Sequence, residues 1–301
     1  MNAKDSVMYQ SARCKFSMTA IQLTLALSCA SGVYADTSVW EVKSGANTLY
    51  LGGTVHLLRP SDYPLPAEFD LAYGNSSRIY FETDISSMND LSIQAQMLQQ
   101  LTYNDEHTLK TVLNEAAYTA LTAHTEKLGL PMMMLEKFKP GMIVSTLQVL
   151  DFQRMGFTPQ GVDMHFNAKA VADGKYIGQF ETIQEQIGFL AAMGEDNESE
   201  FILLSLKDLE QTDDLMAQML AAWRSGNAAE LTKLFVDDMR NEAPEIYQSL
   251  LLERNLNWLP DIEAMLGDAD TEFVLVGAAH LIGPEGLVVM LEEKGYQVRH
   301  L

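Results

Sequence analysis

Two stretches near opposite ends of the chain decide the fold: Leu49-Tyr50-Leu51-Gly52-Gly53-Thr54-Val55-His56 and Phe273-Val274-Leu275-Val276-Gly277-Ala278-Ala279-His280. Each reads as a strand that runs into a Gly-x-x-His turn. The second is continuously apolar and partly β-branched, which is typical of a parallel strand covered on both faces. Glycine permits a sharp turn and a close approach of the backbone. Both histidines are therefore expected just beyond the carboxyl end of a strand.

The segments around these two stretches predict further strands. A short strand over Trp40–Val42 precedes the first stretch, and a turn at residues 44–47 joins the two. A helix over Ala67–Tyr73 and a strand over Arg78–Phe81 follow, which together predict a right-handed βαβ unit with parallel strands. A closing strand is expected over Tyr296–Leu301.

The middle of the chain is predicted to be helical. Apolar residues between Leu109 and Leu121 recur at i, i+3, i+4 and i+7, which predicts one amphipathic helix. A strand-like piece, Tyr176–Gln179, interrupts the helices. Near the end, Gly277–Gly283 are expected to form a turn, and Pro284 to begin a helix that runs to Lys294. Further helical segments are expected near residues 141–155, 161–173, 183–193, 200–224, 227–239 and 244–265.

These elements predict an α/β fold of the mixed α+β kind. Its central, mostly parallel sheet is built from both ends of the chain, and a large helical insertion lies in the middle. The sequence shows no repeat of fixed period and no convincing linker. One domain over residues 36–301 is therefore the predicted organisation.

The first 35 residues have the three-part pattern of a secretory signal peptide. Three basic residues precede a mostly apolar run from Met18 to Ala30, and Val33-Tyr34-Ala35 offers small residues at the −3 and −1 positions. The run is too short to span a bilayer, and no later segment approaches the length of a transmembrane span. We expect export to the periplasm or out of the cell, with a disordered or helical extension as the alternative.

Both cysteines, Cys14 and Cys29, lie in this leader. The mature chain would then have no disulfide, no thiol nucleophile and no thiolate ligand. Lipidation at Cys29 is the alternative destination signal, but the preceding Ala26-Leu27-Ser28 fits that signal poorly.

The charge balance is strongly acidic, with 20 Lys and Arg against 41 Asp and Glu and a formal net charge of −21. Such a field repels phosphate backbones, so the sequence argues against nucleic acid as a partner.

The candidate chemistry is a pair of histidines with one carboxylate. His56 and His280 follow strand ends, and in open α/β sheets ligands bind in the crevice beyond those ends. Glu82 continues the apolar strand that ends at Phe81, where a charge should be exposed, paired or bound. Two imidazoles and a carboxylate are a common ligand set for a catalytic divalent metal. Asp84 is a lesser candidate on the same face.

Each candidate also has a purely structural interpretation. The histidines could pack or cap in their turns, and Glu82 could cap the following helix or pair with a surface base. Glu181, after the strand-like piece, could be a helix-entry residue beside Thr182 as the N-cap.

From Trp40 to its end the chain resembles the TraB/GumN family, which is related to the Tiki metalloproteases and more distantly to erythromycin-esterase-like and ChaN-like proteins. The matching stretches occur in the family's order and cover essentially the whole mature chain. They are Leu49–His56, Phe81-Glu82, Gly161-Val162-Asp163, Phe180-Glu181-Thr182, Arg254-Asn255 and Val276–Leu281.

This resemblance implies a mixed sheet with a helical insertion and a metal site made of His56, Glu82 and His280. Glu181, Asp163, Arg254 and Asn255 match other characteristic positions of the family, and chemistry suggests their roles. Glu181 could be a further ligand or a general base, and Arg254 could hold a substrate carboxylate or stabilise an oxyanion. Asp163 and Asn255 could orient the ligands. Asp163 could equally be an acid in the first turn of a helix, and Arg254 and Asn255 could be an ordinary helix-surface pair.

The sequence therefore predicts an exported metal-dependent hydrolase, above all a peptidase, that uses Mn²⁺, Co²⁺ or Zn²⁺ on a peptide or a small ester or amide. Two alternatives remain open. One is a binding or accessory protein on the same fold without turnover. The other is a metal-free hydrolase in which a histidine is the general base.

Overall fold

The computed structural model describes residues 37–209 and 212–301. The predicted signal peptide, residues 1–35, and both cysteines lie outside the described residues. Among the described residues, no helix has both the length and the apolar composition needed to cross a membrane.

The described residues form one six-stranded sheet with the strand order β4-β3-β5-β2-β1-β6. Its strands are β1 (Val39–Ser44), β2 (Asn47–Thr54), β3 (Arg78–Thr83), β4 (Tyr176–Glu181), β5 (Glu272–Gly277) and β6 (Gln297–His300).

Four neighbouring strands of this sheet are parallel. β5 pairs in parallel with β2 and with β3, and β3 pairs in parallel with β4. β1 pairs antiparallel with β2 and with β6. The predicted mostly parallel α/β fold is confirmed, and the carboxyl ends of four strands meet along one edge.

Helices cover most of the remaining chain. Before β4 they are α1 (Ala67–Asn75), α2 (Leu91–Gln100), α3 (Leu109–Val112), α4 (Glu115–Lys127), α5 (Met132–Leu135), α6 (Pro140–Arg154) and α7 (Val162–Asp173). Between β4 and β5 they are α8 (Ile183–Ala192), α9 (Glu198–Leu209), α10 (Thr212–Arg224), α11 (Ala228–Leu231), α12 (Asp238–Glu242), α13 (Pro244–Tyr247) and α14 (Glu253–Met265). The last two are α15 (Ala278–Leu281) and α16 (Leu287–Glu293).

Short turns of other helical types connect some of these elements. Residues Pro60–Asp62 and Ile85–Asn89 form 3₁₀ turns, whereas Thr232–Asp237 and Gln248–Leu252 are π-helical.

Two local predictions were wrong. The helix expected over 109–121 is two helices, because the Asn114 side chain accepts a hydrogen bond from Ala117 N–H and begins α4 anew. Gly277–Gly283 contain the helical turn α15, and the next helix begins at Leu287 rather than at Pro284. The strands β2 and β3 are parallel, as predicted, and β5 lies between them.

Buried apolar side chains hold the sheet against the helices. Phe69 of α1, Trp223 of α10 and Phe273 of β5 belong to one continuous buried cluster. A second cluster joins the helices of the insertion, with Leu121 and Ile202 at full burial. The insertion therefore has apolar packing of its own.

Glu272 begins β5 at the edge of the sheet opposite the Gly-x-x-His turns. Its side chain is fully buried, and its oxygens accept no hydrogen bond from the described residues. The Arg78 guanidinium lies 3.7 Å from Oε1 and also contacts Asp268 and Asp270. Burial, with added repulsion from Asp268, raises the pKa of Glu272 to about 7, despite the attraction of Arg78.

We predict that Glu272→Gln stabilises the protein at pH 8 and has little effect at pH 5. Because the pKa is raised in the folded state, the stability that this carboxyl contributes is complete below pH ~4.5 and is lost as the pH rises through about 7. Glutamine mimics the protonated form, so its advantage at pH 8 should be roughly 1–3 kcal/mol in the free energy of unfolding. Urea unfolding at both pH values measures it.

The matched control is Glu41→Gln. Glu41 is also a buried glutamate in a strand. Burial raises its pKa, but hydrogen bonds and attraction from Lys43 and Arg299 lower the pKa by more, so that the net shift is downward. This variant should show no gain at pH 8. A Glu272→Gln variant that loses stability at pH 8 would contradict our account of the buried charge.

Candidate functional site

The predicted residues gather along the edge where the four parallel strands end. Glu82 lies in β3 and Glu181 is the last residue of β4, while His56 follows β2 and His280 lies in α15 after β5. Parallel pairing brings these ends together, although the residues are far apart in the sequence. The helix α14 adds Arg254 to this edge.

His56 is held by the start of α7. Its Nδ1 lies 2.8 Å from Asp163 Oδ2, so Nδ1–H donates to the carboxylate. A Cβ on Gly161 would lie 2.2 Å from the His56 carbonyl oxygen, so only glycine lets α7 begin this close. The His56 side chain is 65% exposed. Its Nε2 is thereby left for a ligand, because Nδ1 is engaged.

His280 is held by α14 and is buried. Its Nδ1 lies 2.7 Å from Asn255 Oδ1. The Asn255 amide nitrogen donates to the carbonyl oxygens of His280 and Glu285, which fixes the amide so that its oxygen faces the imidazole. Nδ1 must then carry the hydrogen, and the lone pair of the neutral ring is on Nε2.

Arg254 lies between the two carboxylates. Its Nη2 donates to Glu82 Oε2 at 2.6 Å and to Glu181 Oε2 at 2.9 Å, and its Nε donates to Glu181 Oε1 at 2.8 Å. Its Nη1 donates to the Leu250 carbonyl and lies 3.2 Å from His280 Nε2. All three charged side chains are almost fully buried. Arg254 therefore neutralises charge that the interior would otherwise not tolerate.

The electrostatics set the charge of each group. Attraction by Asp163 raises the pKa of His56 to about 9. Burial, together with repulsion by Arg254, lowers the pKa of His280 to about 3, although Glu82 opposes this. Burial would raise the pKa of Glu82, but attraction by its neighbours lowers it to about 2. Because His280 is neutral above pH 3, the positive charges of Arg254 and His56 and the Gly277 N–H keep Glu82 ionised at neutral pH.

Gly277 lies where the three predicted ligands meet. Its N–H donates to Glu82 Oε1 at 2.6 Å. A Cβ at this position would lie 3.2 Å from Glu82 Oε1, 3.6 Å from His280 Cδ2 and 3.8 Å from His56 Nε2. The three side chains thus border one space, although their donor atoms do not all lie within 4.8 Å of one another.

Two residues that the sequence did not predict complete the surroundings of the carboxylates. Trp258 Nε1 donates to Glu181 Oε1 at 3.0 Å, and its ring lies 4.4 Å from that of His280 between centroids. Gln186 Nε2 contacts both carboxylates, at 3.3 and 3.4 Å. Helical spacing could have identified Trp258 from the sequence, because Trp258 is four residues after Arg254 and so lies on the same face of α14.

The lesser candidate Asp84 does not join these residues. Its side chain instead caps the turn Ile85–Asn89.

The fold and the site define a class: an α/β protein with two oriented histidines and a buried carboxylate–arginine cluster at the carboxyl edge of a parallel sheet. The chain belongs to the TraB/PrgY/gumN family, whose model it matches over residues 38–300. No significant match was found among curated proteins or among solved structures.

We predict that Arg254→Met lowers the free energy of unfolding by about 3–5 kcal/mol in the presence of a chelator, because two buried carboxylates lose their counter-charge. Glu181→Gln added to this variant should recover part of the loss. Chemical denaturation followed by circular dichroism measures both effects.

Arg59→Met is the control, because Arg59 forms a partly exposed pair with Asp62 and should cost at most about 1 kcal/mol. An Arg254→Met protein as stable as the wild type would show that the carboxylates do not depend on this arginine.

Proposed function

We propose that this chain is an exported, metal-dependent hydrolase that acts on peptides. One observation carries the proposal: each histidine has its Nδ1 fixed by a hydrogen-bonding partner, so that both Nε2 atoms face the space beside an ionised glutamate. A metal ion bound there would displace the proton of His56 and the Arg254 N–H that His280 Nε2 accepts. Metal-bound histidines in proteins are held in the same way by a carboxylate or an amide or carbonyl oxygen. Peptides are the proposed substrates because of the family's resemblance to the Tiki metalloproteases.

The donor set fits a divalent ion such as Mn²⁺, Co²⁺ or Zn²⁺. His56 and His280 would provide nitrogen and Glu82 oxygen, in the space that a Cβ on Gly277 would enter. A bound dication supplies a Lewis acid that polarises a carbonyl group and lowers the pKa of water.

The other residues act by holding charge in place. Asp163 orients His56, and Asn255 orients His280. The N–H groups of Arg254 are all bonded within the site, to Glu82, Glu181, the Leu250 carbonyl and His280. Stabilising negative charge on a substrate carbonyl oxygen would require Arg254 to release one of these bonds. Glu181 accepts from Arg254 and Trp258, so we assign it the positioning of Arg254; a direct role as a base would require it to release these donors.

A second candidate is favoured by the Asp163–His56 pair. A carboxylate that orients an imidazole is also the arrangement of a general base. In this alternative, the neutral form of His56 accepts a proton from water and no metal is required. Because the pKa of His56 is raised to about 9, this activity should increase as the pH rises toward that value. Resistance of hydrolysis to chelation separates it from the first candidate.

We predict near-stoichiometric metal in residues 36–301 after incubation with Mn²⁺, Co²⁺ or Zn²⁺, and its loss in His56→Ala, Glu82→Ala and His280→Ala. Gly277→Ala should also lose metal, because its Cβ enters the ligand space. Asp163→Ala and Asn255→Ala should weaken metal affinity about 10–100-fold. Elemental analysis and competition with a chelating dye measure these effects.

His107→Ala is the matched control, because His107 is an exposed histidine that pairs with Asp105 in the insertion. It should bind metal as the wild type does. A wild-type protein without metal would overturn the metal mechanism. A peptide library then tests turnover: cleavage that survives chelation favours the His56 base, and binding without cleavage favours an accessory protein.

Export is tested separately. When the full chain is expressed in a Gram-negative host, we expect the protein recovered from the periplasm to begin at or near Asp36, because residues 33–35 fit a cleavage site. Mass spectrometry of the intact protein measures this. Recovery of the uncut chain from the cytoplasm would contradict export.

A further inference from the structure

An apolar pocket of about 280 Å³ lies beside His56, between the two Gly-x-x-His turns. The turns provide one side of it, through Val55 and Ala279. Phe152 and Phe235 are among the side chains that form the rest. The pocket therefore shares His56 with the candidate metal site.

The chemistry of this pocket selects apolar groups. Among the described residues that line it, His56 is the one ionisable side chain. Trp223 also lines it, but its Nε1 donates to the Gly53 carbonyl at 2.7 Å, so that its polar atom is already bonded. Met216 and Met219 complete the lining, and methionine adapts its shape to different apolar partners.

The helices around the site are irregular where they reach it. Phe235 lies in the π-helical segment Thr232–Asp237, and the second such segment, Gln248–Leu252, provides the Leu250 carbonyl that accepts from Arg254. π-helical turns within helices occur frequently at functional sites. One π-helical segment thus provides Phe235 to the pocket, and the other provides a hydrogen-bond acceptor to Arg254 in the charged cluster.

We propose that this pocket receives one large apolar side chain of the substrate, leucine, methionine or phenylalanine, from a residue next to the cleaved bond. The inference rests on the proposed peptidase function and adds its substrate preference. The volume lies just below the range of about 300–1,000 Å³ typical of small-molecule sites, which suits one side chain rather than a longer segment. The shared His56 places that side chain next to the reacting carbonyl.

Binding is tested without catalysis, by methyl NMR of protein labelled with ¹³C-methyl methionine, in the presence of a chelator. The probes are N-acetyl-leucinamide, N-acetyl-phenylalaninamide and N-acetyl-asparaginamide. We expect the Met216 and Met219 methyl signals to shift and saturate with the first two probes, at least about tenfold more tightly than with the third. Met→Leu variants assign the signals.

Met133 and Met134 are internal controls, because both are highly exposed and distant in sequence from the pocket-lining methionines. Their signals should not shift. Ala279→Phe should abolish the response by filling the pocket, and Phe235→Ala should shift the preference to larger probes such as N-acetyl-tryptophanamide. The proposal is overturned if all methionine signals shift alike, or if the asparagine probe binds as well as the leucine probe.

A peptide library cleaved by the metal-loaded protein separates the two proposals. Cleavage with leucine, methionine or phenylalanine enriched beside the cut supports both. Selective NMR shifts without cleavage would support apolar binding in the pocket and contradict the proposed hydrolase function. Cleavage with no preference for apolar residues beside the cut would support the hydrolase function and overturn the proposed role of the pocket.

Discussion

The site depends on the hydrogen bonds and ion pairs that the Arg254 guanidinium forms with two buried glutamates. The guanidinium bonds Glu82 of one strand and Glu181 of the next, and it lies against the imidazole of His280. Each carboxylate would be costly in the interior without this charge. The π-helical turn before α14 helps to hold the guanidinium, because the Leu250 carbonyl of that turn accepts a hydrogen bond from Arg254. A single cation thus joins two strands, a helix and one of the two Gly-x-x-His turns.

The parallel sheet provides the frame for this cluster. Strands that run in one direction end at one edge, so residues from distant parts of the chain meet there without long connecting loops. The turns pack closely because glycine has no side chain. Gly53 lies against Ala278, Gly161 against the His56 backbone, and Gly277 against Glu82. These glycines allow the histidines to reach the same space.

Local patterns predicted the parts of the site that depend on local structure. The histidines beyond two strand ends and Glu82 at a third could be read from apolar runs followed by a polar residue. The position of β5 between β2 and β3 could not, because strand order depends on long-range packing. For the same reason, the sequence did not predict that Arg254 binds both glutamates. The break at Asn114 was different, because asparagine is a common N-cap residue and could have been read as the start of a second helix.

The central place of β5 has a consequence for how the chain is made. This strand lies between β2 and β3 but is synthesised long after them, and Gly277 and Glu82 are 195 residues apart. A nascent chain that lacks β5 would leave the inner edges of both earlier strands unpaired, and such edges invite pairing with other chains. It would also lack His280 and hence part of the candidate site. Late synthesis of one strand therefore leaves the unfinished polypeptide dependent on protection from aggregation until its last segment emerges.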